Sequence, residues 1–465
     1  MKSKTKKHAK QKKNNRLDPA WELINPEAAG IDIGSREHWA CVPASRSPKP
    51  VRAFGTFTAD LEALADWFQE CGVKTVAMEA TGVYWIPVFQ ILERRGFQVI
   101  LANARQTKNV AGRKTDVQDC QWIQRLHTYG LLQGSFRPED KYCVLRTYLR
   151  YRDELVGARS TQCQHLQKAL QQMNVQLHHV LSDVAGVSGR RIMEAIVAGQ
   201  RDPVQMAALV DHRVRASQET IQKALAGDYR PEHLFVLRLA LELYHTYEAK
   251  IAACDEQIIR EVGRLPDRVD VLAKPLPARK AGRPARADQL LQTDMRAQMY
   301  PKLGVDLTGI EGIGVLTELV IITEVGPDVS RFPSEKHFAS WLGLCPDQRI
   351  SGGKVLSSRT RRVINRVADA LRIAAATLER SQSALGAFYR RMKARLGAAE
   401  AVTATAHKLA RLVYRLLKHG EAYVRQGMDQ YEQQYQERKL SALKKNALAL
   451  GFQLVAQPHS MPLVS

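Results

Sequence analysis

The chain has 465 residues, is 45% hydrophobic and 25% charged, and carries a net charge of +22. That balance fits a globular protein with enough chain for about three domains, and no apolar run reaches the roughly 18 residues of a membrane span. Seven cysteines, odd in number and without CxxC spacing, exclude a full disulfide framework and point to a reducing, cytoplasmic setting.

The charge is concentrated. Residues 1–16 hold eight Lys/Arg and no acid, and residues 349–418 hold sixteen against three acids, so these two segments account for 21 of the 22 charges. Such blocks suit a polyanion, because each neutralised phosphate releases condensed counterions; the alternative is a solubility tail plus a solvated helix face. The first block lacks a following apolar stretch, so residues 1–27 read as a basic disordered arm rather than a secretory signal.

In chain order, strand-like patterns fall at residues 28–34, 38–43 and 51–57, followed by helical periodicity at 60–71. A strand at 74–79, a helix at 85–95, a strand at 97–103 and a helix at 115–129 complete a βββαβαβα order. Three hairpin-linked strands followed by crossovers predict a mixed sheet covered on both faces, the order of RNase H-like (RuvC-like) domains, over residues 28–135. Residues 136–262 are helical. Spacings of three and four through Val156, Cys163, Leu166, Leu170, Met173, Leu177 and Val180, and again through Leu237, Leu241, Tyr244, Tyr247, Ile251, Cys254 and Ile258, predict two long helices, as an antiparallel pair or a dimerising coiled coil. Pro266, Pro275, Pro277 and Pro284 mark residues 263–300 as a linker or insertion; Ala281-Gly282-Arg283-Pro284 within it reads as plain linker rather than a minor-groove hook. Residues 301–425 form a helical, basic C-terminal domain, and residues 426–465 a polar helix and tail. The fold class is thus α/β plus all-α.

Four carboxylates stand out. Asp32 lies inside the first strand, between Ile31 and Ile33, where burying a lone carboxylate is costly unless something such as a metal ion compensates it. Glu79 ends the fourth strand. Asp116 and Asp119 are three apart on a helix and share a face. Hard oxygen ligands of this kind select Mg²⁺ or Mn²⁺, ions suited to phosphodiester chemistry, and Arg105, Lys108, Arg113 and Lys114 can grip phosphate nearby. Individually, Glu79 can be a strand cap and Asp119 a solvated acid. Asp32-x-Gly34 also suits a phosphate hairpin of actin-like ATPases, which share this topology.

In the C-terminal region, Gly312-Ile313-Gly314 ahead of an apolar helix suits a helix-hairpin-helix, whose free N–H groups take a DNA phosphate; a tight structural turn is the alternative. Ser351-Gly352-Gly353-Lys354 places a hydroxyl in a sterically free loop, where Lys354 and Arg349 can stabilise a phosphate. The same string is also an ordinary flexible turn.

Taken together, Ala29-Gly30-Ile31-Asp32-Ile33-Gly34, Met78-Glu79-Ala80-Thr81-Gly82-Val83-Tyr84-Trp85, Asn103-Ala104-Arg105-Gln106-Thr107-Lys108, Lys114-Thr115-Asp116-Val117-Gln118-Asp119 and the Ser-Gly-Gly-Lys segment occur in one order. This resembles the DEDD-type insertion-sequence transposases, with a RuvC-like N-terminal domain and a serine-bearing C-terminal domain, over about residues 28–425. The resemblance implies that Asp32, Glu79, Asp116 and Asp119 bind Mg²⁺. It implies that Ser351 forms a covalent 5′-phosphoserine link to DNA. It also implies a homo-oligomer (dimer or tetramer), with the RuvC-like and serine parts of different subunits composing each site, and a non-coding bridge RNA that pairs with donor and target DNA. A cytoplasmic, nucleoid-associated recombinase follows.

Many relatives continue with a Gly-rich segment where this chain reads Val355-Leu356-Ser357-Ser358-Arg359-Thr360-Arg361-Arg362. Ser357 and Ser358 are therefore rival nucleophiles, and Arg359, Arg361 and Arg362 join the nucleic-acid-binding set. A hydrolytic RuvC-like junction nuclease needs the four acids without the serine, and a non-catalytic nucleic-acid-binding scaffold needs neither.

Overall fold

The computed structural model describes residues 23–80, 82–102, 115–278, 293–361 and 363–453, with backbone alone at 349 and 421–432. It divides into two units, residues 1–136 and residues 137–465.

The first unit is built on five strands: β1 (Ala28–Ile33), β2 (Glu37–Cys41), β3 (Val51–Gly55), β4 (Thr75–Glu79) and β5 (Gln98–Ala102). Their order is β3-β2-β1-β4-β5. The first three are antiparallel neighbours, whereas β1–β4 and β4–β5 are parallel. Helices α1 (Thr58–Glu70), α2 (Trp85–Arg94) and α3 (Asp116–Thr128) flank them. This is the mixed RNase H-like sheet the sequence order predicts.

Strand alternation decides what faces what. Ala29, Ile31 and Ile33, with Val76 and Met78, bury against Leu64, Phe68, Val88 and Leu92 of α1 and α2. Gly30, Asp32 and Ala77 therefore face the other way, toward α3. That helix lies close on β1: a Cβ on Gly30 would stand 2.4 Å from the Gln124 backbone N and 2.6 Å from the Cys120 carbonyl O. Gly30→Ala is expected to destabilise this unit toward or beyond the top of the ~1–3 kcal/mol range for overpacking, because backbone atoms cannot rotate away. A thermal melt with an unchanged midpoint would contradict the contact.

The direction of α3 is fixed at its C-terminal end. Gln124 Nε2 donates to the Ala28 carbonyl at 3.4 Å. Asn25 donates its backbone N–H to Thr128 O at 2.9 Å and its side-chain amide to His127 O at 2.8 Å. The helix thus runs antiparallel to β1 and carries its N-terminal turn to the C-terminal end of that strand. His127 packs inside with Nε2 2.8 Å from Thr75 Oγ1, and burial lowers it to about 4, so it is neutral at pH 7.

In the second unit, α4 (Asp140–Gln172) and α9 (Pro231–Arg264) are two long helices as expected, but the first stops short of the predicted series: Asn174 takes a φ of +55° and Leu177 and Val180 fall on a separate short helix. Arg152 pairs with Asp255, and Arg159 with Glu248 at 3.8 Å; this register makes them antiparallel. Between them come α5 (Leu177–Val180), α6 (Val187–Val197), α7 (Pro203–Ala207) and α8 (Gln218–Leu225). Their Met193, Ile196, Met206 and Ile221 close a core with Leu166, Leu170, Met173, Leu237 and Leu241. The Arg152–Asp255 pair is buried in the seam. Arg152→Ala is expected to cost about 3–5 kcal/mol by leaving Asp255 buried without its partner, whereas replacing both with apolar residues costs far less. Denaturant titration of the single and double variants checks this.

The remaining elements are α10 (Met295–Leu303), α11 (Val315–Val325), α12 (Glu335–Trp341), the hairpin strands β6 (Arg349–Ser351) and β7 (Lys354–Ser357), α13 (Arg366–Thr377), α14 (Ala384–Leu396), α15 (Ala398–His419) and α16 (Glu421–Ala449). Helix α10 begins inside the span read as linker. Asp294 caps it by accepting from Ala297 N, and its Arg296 makes a buried ion pair with Asp306. The Ala281–Pro284 segment and the basic arm lie outside the described residues. Among the described residues, no helix is long and apolar enough to cross a membrane.

Candidate functional site

The four acids lie toward one end of the sheet. Ile31 of β1 is registered against Met78 of β4, so Asp32 and Glu79 are the next residues along two adjacent parallel strands and point to the α3 face. Thr115 caps α3, its side chain accepting from Gln118 N at 3.4 Å. Asp116 and Asp119 both fall in the first helical turn, where the helix dipole favours negative charge. Burial, then the negative charges of Asp116, Asp119 and Glu79, push the Asp32 carboxyl up to about 6. The arrangement is acidic and wholly oxygen-donating, which fits a hard divalent cation. It is also open: among the described residues, no three His, Cys, Asp or Glu side chains converge as they do around a bound ion. Asp116 is exposed at the start of α3 and Asp119 half-buried one turn on.

Periodicity gave no sign of the layer behind these acids. Cys41 of β2, registered against Gly30, is buried near Cys120 of α3; its Sγ donates to Val42 O at 3.5 Å and that of Cys120 to Val117 O at 3.2 Å. The neighbouring Cys41 thiol, then burial, hold the Cys120 thiol well above its usual range, so Cys120 is packing rather than a nucleophile. Gly30 and Gln124 likewise seat α3; only the Gly within the apolar first strand hinted at a close approach. Arg105, Lys108, Arg113 and Lys114, the expected phosphate grips, lie outside the described residues.

In the second unit, Gly312 takes a φ of +88°, and a Cβ there would stand 2.9 Å from the Ala374 carbonyl of α13. Its glycine is thus required by the backbone and by packing. Gly314 differs: it is the N-cap of α11 and has open space around it. Ahead of it stand a 3-10 turn (Leu307–Gly309) and then α10.

Ser351 and Lys354 are cross-strand partners at the tip of the β6–β7 hairpin. Gly352 and Gly353 form the two-residue turn with φ of +54° and +78°, the left-handed pair that a type I′ hairpin turn requires. Ser351 and Lys354 are exposed. Of the rival serines, Ser357 accepts a hydrogen bond from Arg359 N at 3.3 Å, and Ser358 is exposed beyond the paired strand. Arg361 anchors the hairpin base by donating to Ser340 O at 2.7 Å, and Arg359 is exposed. Arg349 is placed by its backbone in β6, and Arg362 lies outside the described residues.

Two family models match this chain. Residues 29–175 are similar to the transposase model DEDD_Tnp_IS110, and residues 306–390 to the transposase model of the IS116/IS110/IS902 family. The first match spans all four acids, the second the Gly312–Gly314 turn and the Ser351 hairpin. No curated protein matches the chain.

Proposed function

We propose, from the premise that this chain belongs to the DEDD transposases of the IS116/IS110/IS902 family and so cleaves and rejoins DNA, that its four carboxylates and its hairpin serine serve one strand-exchange reaction. The observation that carries this is the partial burial of Asp32 beside three further acids: a carboxylate held at such cost calls for a compensating cation.

Asp32, Glu79, Asp116 and Asp119 would hold Mg²⁺ or Mn²⁺. When bound, the cation stabilises the charge that develops on phosphate oxygens during displacement. Ser351 is the nucleophile. Its Oγ forms a bond to phosphorus and gives up its proton. The bond from phosphorus to the 3′ oxygen breaks, and that oxygen takes a proton and leaves as a 3′-hydroxyl. DNA remains joined to the protein through a 5′-phosphoserine, and attack by another strand's 3′-hydroxyl reverses the step. Lys354, paired with Ser351 across the turn, steadies the phosphate. Gly314 at the α11 N-terminus, with Arg359 and the Lys/Arg-rich block around it, supports backbone contacts to DNA.

The positive blocks at residues 1–16 and 349–418 also support a second polyanion, the bridge RNA, and the family likeness implies a homo-oligomer (dimer or tetramer) in the nucleoid-associated cytoplasm. Calorimetric titration of Mg²⁺ into the full chain tests the metal assignment. Binding in the wild type that is lost in Asp32→Asn is expected; equal heats in both overturn it.

A further inference from the structure

The Ser351 hairpin exposes apolar side chains that its fold does not need. Residues 346–348 and 350–356 are all exposed, while Leu342 and Leu344 at the base are buried. The Pro346–Thr360 bridge, and the Asp347 N–H donated to Arg359 O at 2.9 Å, continue the ribbon to that base. The result is a projecting arm. Ile350 and Val355 are registered against each other, one step from the Ser351–Lys354 pair. Alternation therefore puts the two apolar residues on one face of the ribbon and the serine and lysine on the other. Ile350 is 59% exposed, Val355 58% and Leu356 68%. A two-stranded hairpin gains nothing by leaving β-branched side chains in water.

The chemistry around them says what covers them. Between residues 346 and 362 the charged residues are Asp347 against Arg349, Lys354, Arg359, Arg361 and Arg362. A partner must be anionic and yet offer apolar slots. Duplex DNA does both, since stacked bases lie just inside the phosphates, and its major groove admits a two-stranded β-ribbon. Aliphatic side chains entering between base pairs unstack them and bend the duplex.

We infer that Ile350 and Val355 form a wedge that opens a base step beside the phosphate presented to Ser351. This rests on the assignment of Ser351 as the strand-cleaving residue. Its use is plain: strand exchange needs unstacked bases at the crossover, and a wedge on the back of the serine ribbon couples unstacking to placement of the hydroxyl.

The test uses the full chain with Ser351→Ala, purified with its nucleic-acid partners and bound to plasmid DNA carrying the element's ends and insertion site. Permanganate then oxidises thymines that have left the stack. Thymines at the crossover are expected to react about fivefold faster than in free plasmid, because inserted apolar side chains unstack the step. Adding Ile350→Ser and Val355→Ser is expected to return them to the free-DNA level, with DNA retention changed by less than about threefold because phosphate contacts dominate affinity. Ile350→Leu with Val355→Ile is expected to keep the enhanced reactivity. Enhanced reactivity that survives the double serine substitution overturns the wedge. So does its absence from the parent Ser351→Ala complex, or a loss of DNA binding along with it, which would mean the apolar face docks on protein. Because distortion is read without the serine, the result is independent of whether Ser351 is the nucleophile, which an assay for protein-linked DNA decides separately.

Discussion

Asp32→Asn is expected to abolish strand cleavage, by about a thousandfold or more, while making the cation-free protein more stable. The loss follows from removing an oxygen ligand where a preorganised charge acts on the phosphate, an effect of about 10²–10³ or greater in such sites. The gain follows from the sign of the shift. The Asp32 carboxyl is raised from 3.8 to about 6, so the folded chain binds more protons than the unfolded one between those values, and stability falls as pH rises through the window. Above it the penalty is fully present, and Asn removes it. Asp32 is only partly buried, so solvent screening reduces the benefit to about 1–2 kcal/mol. Melts in chelator at pH 7.5 should show the variant more stable than the wild type, with the difference vanishing near pH 3.5. Added Mg²⁺ should raise the wild-type midpoint and leave the variant's unmoved. A variant less stable than the wild type at pH 7.5 contradicts the electrostatic origin of the shift.

Ser351→Ala carries the other large effect. Recombination of an element plasmid is expected to fall below detection, on the order of 10⁴-fold or more, as when a covalent nucleophile is removed. Ser357→Ala and Ser358→Ala are expected to lose less than about tenfold, since Ser357 receives the Arg359 N–H in the hairpin stem and neither serine sits at the turn. A recombination-competent Ser351→Ala chain, or an inactive Ser358→Ala chain, would move the nucleophile.

Much of the first unit was legible because its signals are local. The short apolar run through Ala28–Ile33 and the 3.6-residue period through Thr58–Glu70 each depend on a few neighbouring residues, and the observed elements begin and end close to the predicted ones. The adjacency of the strands that carry Asp32 and Glu79 was legible as well, since β1 and β4 had to be neighbours in an RNase H-like sheet. What seats α3 was not. Cys41, Gly30 and Gln124 are brought together only by packing across 94 residues, and no period connects them. The long helices show the same limit. The apolar spacing picked out Val156, but the seam buries Leu155 and pairs Arg152 with Asp255; an ionic pair inside an apolar stripe is invisible until both helices are in register. Glycine was ambiguous in the same way, because Gly312 and Gly314 look alike in sequence, yet one is held by the backbone of α13 and the other faces open space.

The central claim is that the carboxylates and the serine act in one reaction. Its most direct test is to quench the full chain on element DNA, digest protein and DNA, and locate any nucleotide attached to a peptide by mass spectrometry. The expected product is a 5′-phosphate-linked nucleotide on the peptide containing Ser351, formed in Mg²⁺, absent in chelator and absent from Asp32→Asn. Cut DNA without any protein-linked product, or an Asp32→Asn chain that still forms the link, would contradict it.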